Sequence, residues 1–174
     1  MSLIHWQDNW TLGIDLMDAE HRALVDGINQ LAERFAAPVG GAAASPTGLG
    51  GAALDVVGAS EAAARQHADL IAALEALADH AREHFKHEET LMRSLDYPEL
   101  ASHRSEHALL LAEFVEMVRD LERQDVTWLD ADTMEALYHW LVGHMVGADR
   151  DYSDHYFAVL AAENQSQEVC LLGP

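Results

Sequence analysis

The sequence predicts an all-α protein, an antiparallel up-and-down four-helix bundle with a long Gly/Ala-rich connection between its first and second helices. Three observations carry that prediction. Apolar residues recur at alternating steps of four and three in four separate segments, which is the inward stripe of an amphipathic helix. Alanine, leucine and glutamate are abundant while valine and isoleucine are sparse, a balance that favours helix over sheet. Two of the three connections are short, as antiparallel neighbours in a bundle require. A chain of 174 residues, 49% of them hydrophobic, is long enough for one domain with one core.

The first helix is expected from about Met17 to Phe35, with Met17, His21, Leu24, Ile28, Leu31 and Phe35 on its stripe. Residues 38–60, "PVGGAAASPTGLGGAALDVVGAS", are rich in Gly, Ala, Ser and Pro and read as a flexible insertion. The second helix is expected from about Ser60 to Leu95 along Leu70, Leu74, Leu77, Ala81, His84, Glu88, Leu91 and Leu95. Pro98 in "LDYPEL" cannot continue it and suits the first turn of the next. The third, about Glu99 to Arg123, aligns His103, His107, Leu110, Phe114, Met117 and Leu121. Asp130 is a fitting N-cap for the fourth, about Ala131 to Leu160, whose stripe begins Met134, Leu137, Leu141, His144. The bundle thus occupies residues 1–162, and 163–174, without periodicity, form a disordered tail.

The formal net charge of −20 repels phosphate backbones and anionic headgroups, which argues against nucleic-acid and membrane-surface binding. One cysteine, Cys170, excludes a disulfide framework within the chain and any cysteine-rich metal site. "MSLIHWQDNW" lacks the pattern of a signal peptide, and no apolar run approaches the ~18 residues of a membrane span. A cytoplasmic protein is expected, and a monomer, because all four stripes are consumed inside the bundle.

Those stripes carry polar groups where leucine is expected. His21, His84, Glu88, His103, His107 and His144 all fall on them. A lone histidine on an apolar face is more often a hydrogen-bonded core residue than a ligand, and His5, His67, His80, His87, His139 and His155 are read that way. His80, a turn before His84, is the one of these that could support the site from outside. Five imidazoles and a carboxylate converging in one core are a different matter, since burying them unpaired costs several kcal/mol. A divalent cation resolves the conflict.

The pairs His84/Glu88 and His103/His107 are four apart and share a helix face. Asp149 lies five beyond His144, about 140° away on a regular helix, so a π-type bulge eased by Gly143 and Gly147 is expected to bring it in. Seven donors exceed what mononuclear zinc needs, H-E-x-x-H is absent, and no Glu-x-x-His of the ferritin-like kind occurs. What remains is a histidine-rich site with two carboxylates, enough for two bridged metals.

Trp6, "GIDLMDAEH" ending at His21, "HFKHEETLM" from His84, "YPELASHRSEH" ending at His107 and "HMVGAD" from His144 together resemble the hemerythrin family, in its bacterial single-domain form. The likeness covers about residues 3–157 apart from the insertion, which is longer than the family leads one to expect, and Trp10 stands where a smaller residue is common. The resemblance implies two iron ions, one held by His103, His107 and His144 and the other by His21 and His84. Glu88 and Asp149 would bridge them beside an oxo or hydroxo group, and dioxygen would bind at the His21/His84 iron. It further implies an apolar oxygen pocket at Leu24, Phe85, Trp140, Leu141 and Met145, with Tyr152 supporting the ligands.

The expected function is therefore reversible dioxygen binding for storage, delivery or scavenging. An enzyme turning over peroxide or nitric oxide is a weaker reading, because the pocket residues offer no evident general acid or base. A sensor acting through a protein partner is a third, and the insertion or the tail would then carry the contact.

Overall fold

The computed structural model describes residues 4–37 and 53–172, with side chains for 4–37 and 58–165. A short 3₁₀ turn, Asp8–Trp10, precedes α1 (Asp15–Phe35). Then come α2 (Ala53–Ser94), α3 (Leu100–Arg123), α4 (Ala131–Val146) and α5 (Ala148–Leu172). The described residues contain no strand, only one isolated bridge between Ala36 and Leu129. It ties the end of α1 to the start of α4 through Leu129 N–H to Phe35 O at 2.7 Å and Ala37 N–H to Leu129 O at 2.9 Å. The architecture is the four-helix bundle that the stripes predict, with α4 and α5 taking the place of the fourth helix.

All six stripe positions of α1 are buried. On α2 the stripe holds from Leu70 to Glu88 and then steps to Met92, leaving Leu91 and Leu95 half-buried. On α3, His103, His107, Phe114 and Val118 are buried, Met117 and Leu121 pack at the margin of the core, and Leu110 is half-buried. The main apolar cluster joins α1, α2, α3 and α4, and a smaller one of Leu12, Ile14, Met17, Met92 and Tyr152 closes the other side of the polar centre.

The helix ends follow local chemistry. Asp130 caps α4 by accepting the Thr133 backbone N–H at 2.8 Å. After α2 and α3 the chain turns through a left-handed residue, Asp96 and Asp125, each with φ 50°. The N–H of Tyr97 returns to Met92 O, and that of Val126 to Leu121 O. The second helix therefore stops at Ser94, before Pro98 is reached, and the chain turns at the left-handed Asp96.

The N-terminal segment is strapped to the bundle. Asp18 accepts the N–H groups of Leu12 (2.7 Å) and Gly13 (3.0 Å), and Arg150 donates to the carbonyls of Asn9 and Thr11. Gly13 turns the chain there at φ +83°, a region that side-chain-bearing residues disfavour.

Three expectations are corrected. The insertion does not extend to 60: residues 53–60 already belong to α2, and no proline between Pro46 and Pro98 interrupts that helix. Its remainder, 38–52, lies outside the described residues. The last helix runs past 162 to Leu172, with no glycine or proline to stop it before Gly173. The third correction concerns the junction between α4 and α5. In place of a widened π turn the helix breaks at Gly147 (φ −102°, ψ −97°). Gly147 N–H bonds to His144 O and Arg150 N–H to Gly147 O, both steps of three residues. The chain tightens rather than widens, and α5 restarts at Ala148 with Asp149 buried in its first turn.

Candidate metal centre

All seven predicted side chains meet in the interior. His21 comes from α1, His84 and Glu88 from α2, His103 and His107 from α3, His144 from α4 and Asp149 from α5. They form two overlapping groups. Glu88, His103, His107, His144 and Asp149 bring their donor atoms within 4.8 Å of one another, and so do His21, His84, Glu88 and Asp149.

Glu88 and Asp149 belong to both groups, and each divides its two oxygens between them. Glu88 Oε1 faces His21 (3.8 Å) and His84 (3.5 Å), while Oε2 faces His103 (3.8 Å) and His107 (3.2 Å). Asp149 Oδ2 faces His21 at 3.3 Å, while Oδ1 faces His103 (3.4 Å) and His144 (3.1 Å). His107 Nε2 and His144 Nε2 stand 3.0 Å apart. Neighbouring donors around an octahedral ion with bonds of about 2.1 Å lie about 3.0 Å from one another, so these separations suit a cation.

The interior leaves these groups short of partners. Both nitrogens of His21, Glu88 Oε2, His103 Nε2 and both oxygens of Asp149 are buried without a hydrogen bond. Unsatisfied buried polar atoms are rare, and a cluster of them drawn from four helices calls for a ligand common to all. A pair of divalent cations fits the donor set.

The electrostatics point the same way. Burial works against the charge on Glu88, yet His84, His103, His107 and His21 outweigh it and hold the carboxyl well below its ordinary range. Asp149 is lowered as well: burial and the Glu88 charge oppose ionisation, and His103 and His21 overcome them. Burial disfavours the imidazolium of His103, but Asp149 and Glu88 raise it to about 9. His21 is raised for the same reason, whereas burial keeps His144 below its usual value. Two ionised carboxylates thus demand positive charge at this point of the core.

A surrounding layer of side chains holds the donors in place, and sequence reasoning found only part of it. Tyr152 Oη donates to Glu88 Oε1 at 3.1 Å. Glu89 stands behind His107 (3.3 Å) and is itself paired with Arg104 at 2.9 Å. Glu20 stands behind His84 (2.9 Å) and also holds His87 (2.7 Å), a histidine read from the sequence as a hydrogen-bonded residue without a part in the site. His84 and Glu20, and His107 and Glu89, meet across neighbouring helices, a relation no single-helix periodicity contains. The other histidines set aside lie away from the centre: His67 bonds Val126 O, His155 bonds Leu95 O, and His80 is exposed.

The predicted pocket residues divide. Phe85 is buried against three imidazoles, stacked on His107 (3.8 Å between centroids, 8° between planes) and packed against His84 and His144. Leu24, Leu141 and Met145 are buried in the main apolar cluster, with Trp140 packed on it and its indole N–H donating to Leu110 O at 3.0 Å. A surface cleft of about 480 Å³ between α2 and α3 reaches down to Phe85 and His107. Phe85 and the His107 ring stacked on it together form the floor of the cleft on that side.

Residues 12–155 match the model of the hemerythrin HHE cation-binding domain. A bacteriohemerythrin of Stenotrophomonas maltophilia (strain R551-3) is 27% identical over 170 residues, covering 95% of this chain and 92% of that one. One of Pseudomonas aeruginosa (strain LESB58) is 28% identical over 156 residues, covering 88% and 82%. Among solved structures, a leucine-to-alanine mutant of hemerythrin superposes with a TM-score of 0.64 at 22% identity, covering 89% of this chain and 98% of that one. Wild-type hemerythrin superposes with a TM-score of 0.62, again at 22% identity, covering 87% and 96%. No helix among the described residues is long and apolar enough to cross a membrane. The chain belongs to the hemerythrin family.

Proposed function

We propose that the chain binds dioxygen reversibly at a centre of two non-haem irons. The observation that carries this reading is the division of Glu88 and Asp149, each giving one oxygen to a set with three imidazoles and the other to a set with two. His103, His107 and His144 would hold one iron and His21 and His84 the other, with both carboxylates bridging. Two ferrous ions held there would supply the electrons that reversible dioxygen binding requires.

The chain's own residues favour binding over turnover. The set with His21 and His84 offers one donor fewer, which leaves room for a small molecule on that side. Leu24, Phe85, Leu141 and Met145 are buried and apolar, and exclude the water that would shorten the life of a reactive ligand. Burial and the neighbouring carboxylates push the Tyr152 phenol far up, so its proton stays on Oη as a donor to Glu88 and is not offered to a substrate. No general acid or base stands in the apolar wall.

The test is anaerobic reconstitution with ferrous iron, a metal count per chain, then cycles of oxygen and vacuum followed by visible absorption. Two irons per chain and a colour that appears and disappears over several cycles support the reading. Steady consumption of oxygen or peroxide without a persistent coloured form would point to an enzyme instead.

A further inference from the structure

We propose that Glu20, fixed by the exposed His87, is the positioning residue of the His21/His84 metal position, an inference that rests on the two-metal reading above. Glu20 lies beside His21 on α1 and reaches across to α2, where His84 and His87 are three residues apart and present their Nδ1 atoms side by side. One carboxylate spans both: Oε2 is 2.9 Å from His84 Nδ1 and Oε1 is 2.7 Å from His87 Nδ1.

An ionised carboxylate only accepts hydrogen bonds, so His84 carries its N–H at Nδ1. Its Nε2 is then left with a bare lone pair facing Glu88 at 3.5 Å, which is the form a metal requires. His87 has a different task. Its side chain is 49% exposed and makes no approach to the donors, but it occupies the second oxygen of Glu20 and restricts that side chain's rotation.

The same design recurs at the other position, where Glu89 faces His107 and is held from outside by Arg104. The two positions differ in how much depends on it. The set with His103, His107 and His144 keeps two further imidazoles if one ring is released. The other set has only His21 besides His84, and His21 Nδ1 is buried without a hydrogen bond, so among the described residues no hydrogen bond orients His21 from behind as Glu20 orients His84. Loss of Glu20 therefore falls on one metal position, although neither it nor His87 touches a metal.

Anaerobic titration of the full chain with ferrous iron against a competing chelator tests this, with unfolding midpoints measured alongside. Glu20→Ala is expected to weaken one of the two iron equivalents about 10–100-fold and leave the other unchanged, the usual cost of removing a partner behind a ligand. Glu20→Gln keeps an acceptor for His84 and should lose less, in the same equivalent. His87→Ala should weaken that equivalent too, by less than Glu20→Ala, and Glu83→Gln, an exposed neighbour on α2, should weaken neither. Should Glu20→Ala fail to fold, the glutamine and His87 variants decide the matter alone. Equal weakening of both equivalents, or of neither, overturns the inference. A wild-type chain that takes up fewer than two irons overturns the two-metal reading and this inference with it.

Discussion

Tyr152 is the largest fully buried side chain among the described residues, and its side-chain hydroxyl is spent on Glu88 Oε1. The ring packs beside His103 and Tyr97, so a phenylalanine would fill the same space and lose only the hydroxyl. Glu88 would then keep its charge and lose its one neutral donor. Hydrogen bonds to charged groups contribute about 1.5–3 kcal/mol, and Tyr152→Phe is expected to lower the metal-free protein's stability by about that amount in denaturant unfolding. Unchanged stability would mean that Glu88 is satisfied by the imidazoles alone. At the same scale lies what the sequence hid. His21, His84, His103 and His107 were legible because each interrupts an apolar stripe, and a buried imidazole among leucines has few explanations. Glu20, Glu89 and His87 interrupt nothing. They sit at the edges of their helices among many other acidic and polar residues, and only the approach of α1 and α3 to α2 gives them their partners.

The elements were legible for the same periodic reason, and their failures are backbone failures. The spacing of His144 and Asp149 states that a regular helix cannot present both, and it is silent on how the chain escapes. A bulge and a break both satisfy it. The break occurs because Gly147 lets the backbone close on itself: a Cβ there would come to 3.0 Å from Gly143 O, tighter than ordinary contacts allow. Gly143 is different, for a Cβ at that position meets nothing within 4 Å. The two glycines of "HWLVGHMVGADRD" therefore have opposite expected behaviour. Gly147→Ala should cost about 1–3 kcal/mol through overpacking and, by moving Asp149, reduce the iron bound by both positions. Gly143→Ala should be neutral or stabilise by up to about 1 kcal/mol, since it only removes unfolded-state freedom from a helix interior. Thermal unfolding and metal counts on the two variants check this, and a Gly147→Ala protein that loads normally would show that the junction has other solutions.

Across the whole molecule the net charge is −20, and two of the ionised carboxylates in that count are held in the core. Without metal, protons on imidazoles must supply the balancing charge. His103, raised to about 9, is the clearest case. A group whose folded value is raised stabilises fully below its unfolded value, near 6.5, and that contribution is lost as pH climbs through 9. Glu88 and Asp149 behave in the opposite sense: their folded values are lowered, so their contribution is present above about 4.5 and 3.8 and disappears as pH falls further. The metal-free protein is thus expected to be most stable between about pH 4.5 and 6.5 and to weaken toward pH 9. A bound cation reverses the alkaline half, because it takes neutral imidazole and replaces the protons. Repulsion among the surface carboxylates is common to both forms and cancels in their difference. The gap in unfolding midpoint between iron-loaded and chelator-treated protein, both kept anaerobic, should therefore widen steadily from pH 6 to pH 9. A gap that stays constant or narrows over that range would mean that the imidazoles of the metal-free core are already neutral, and that its two carboxylates are balanced by some other group.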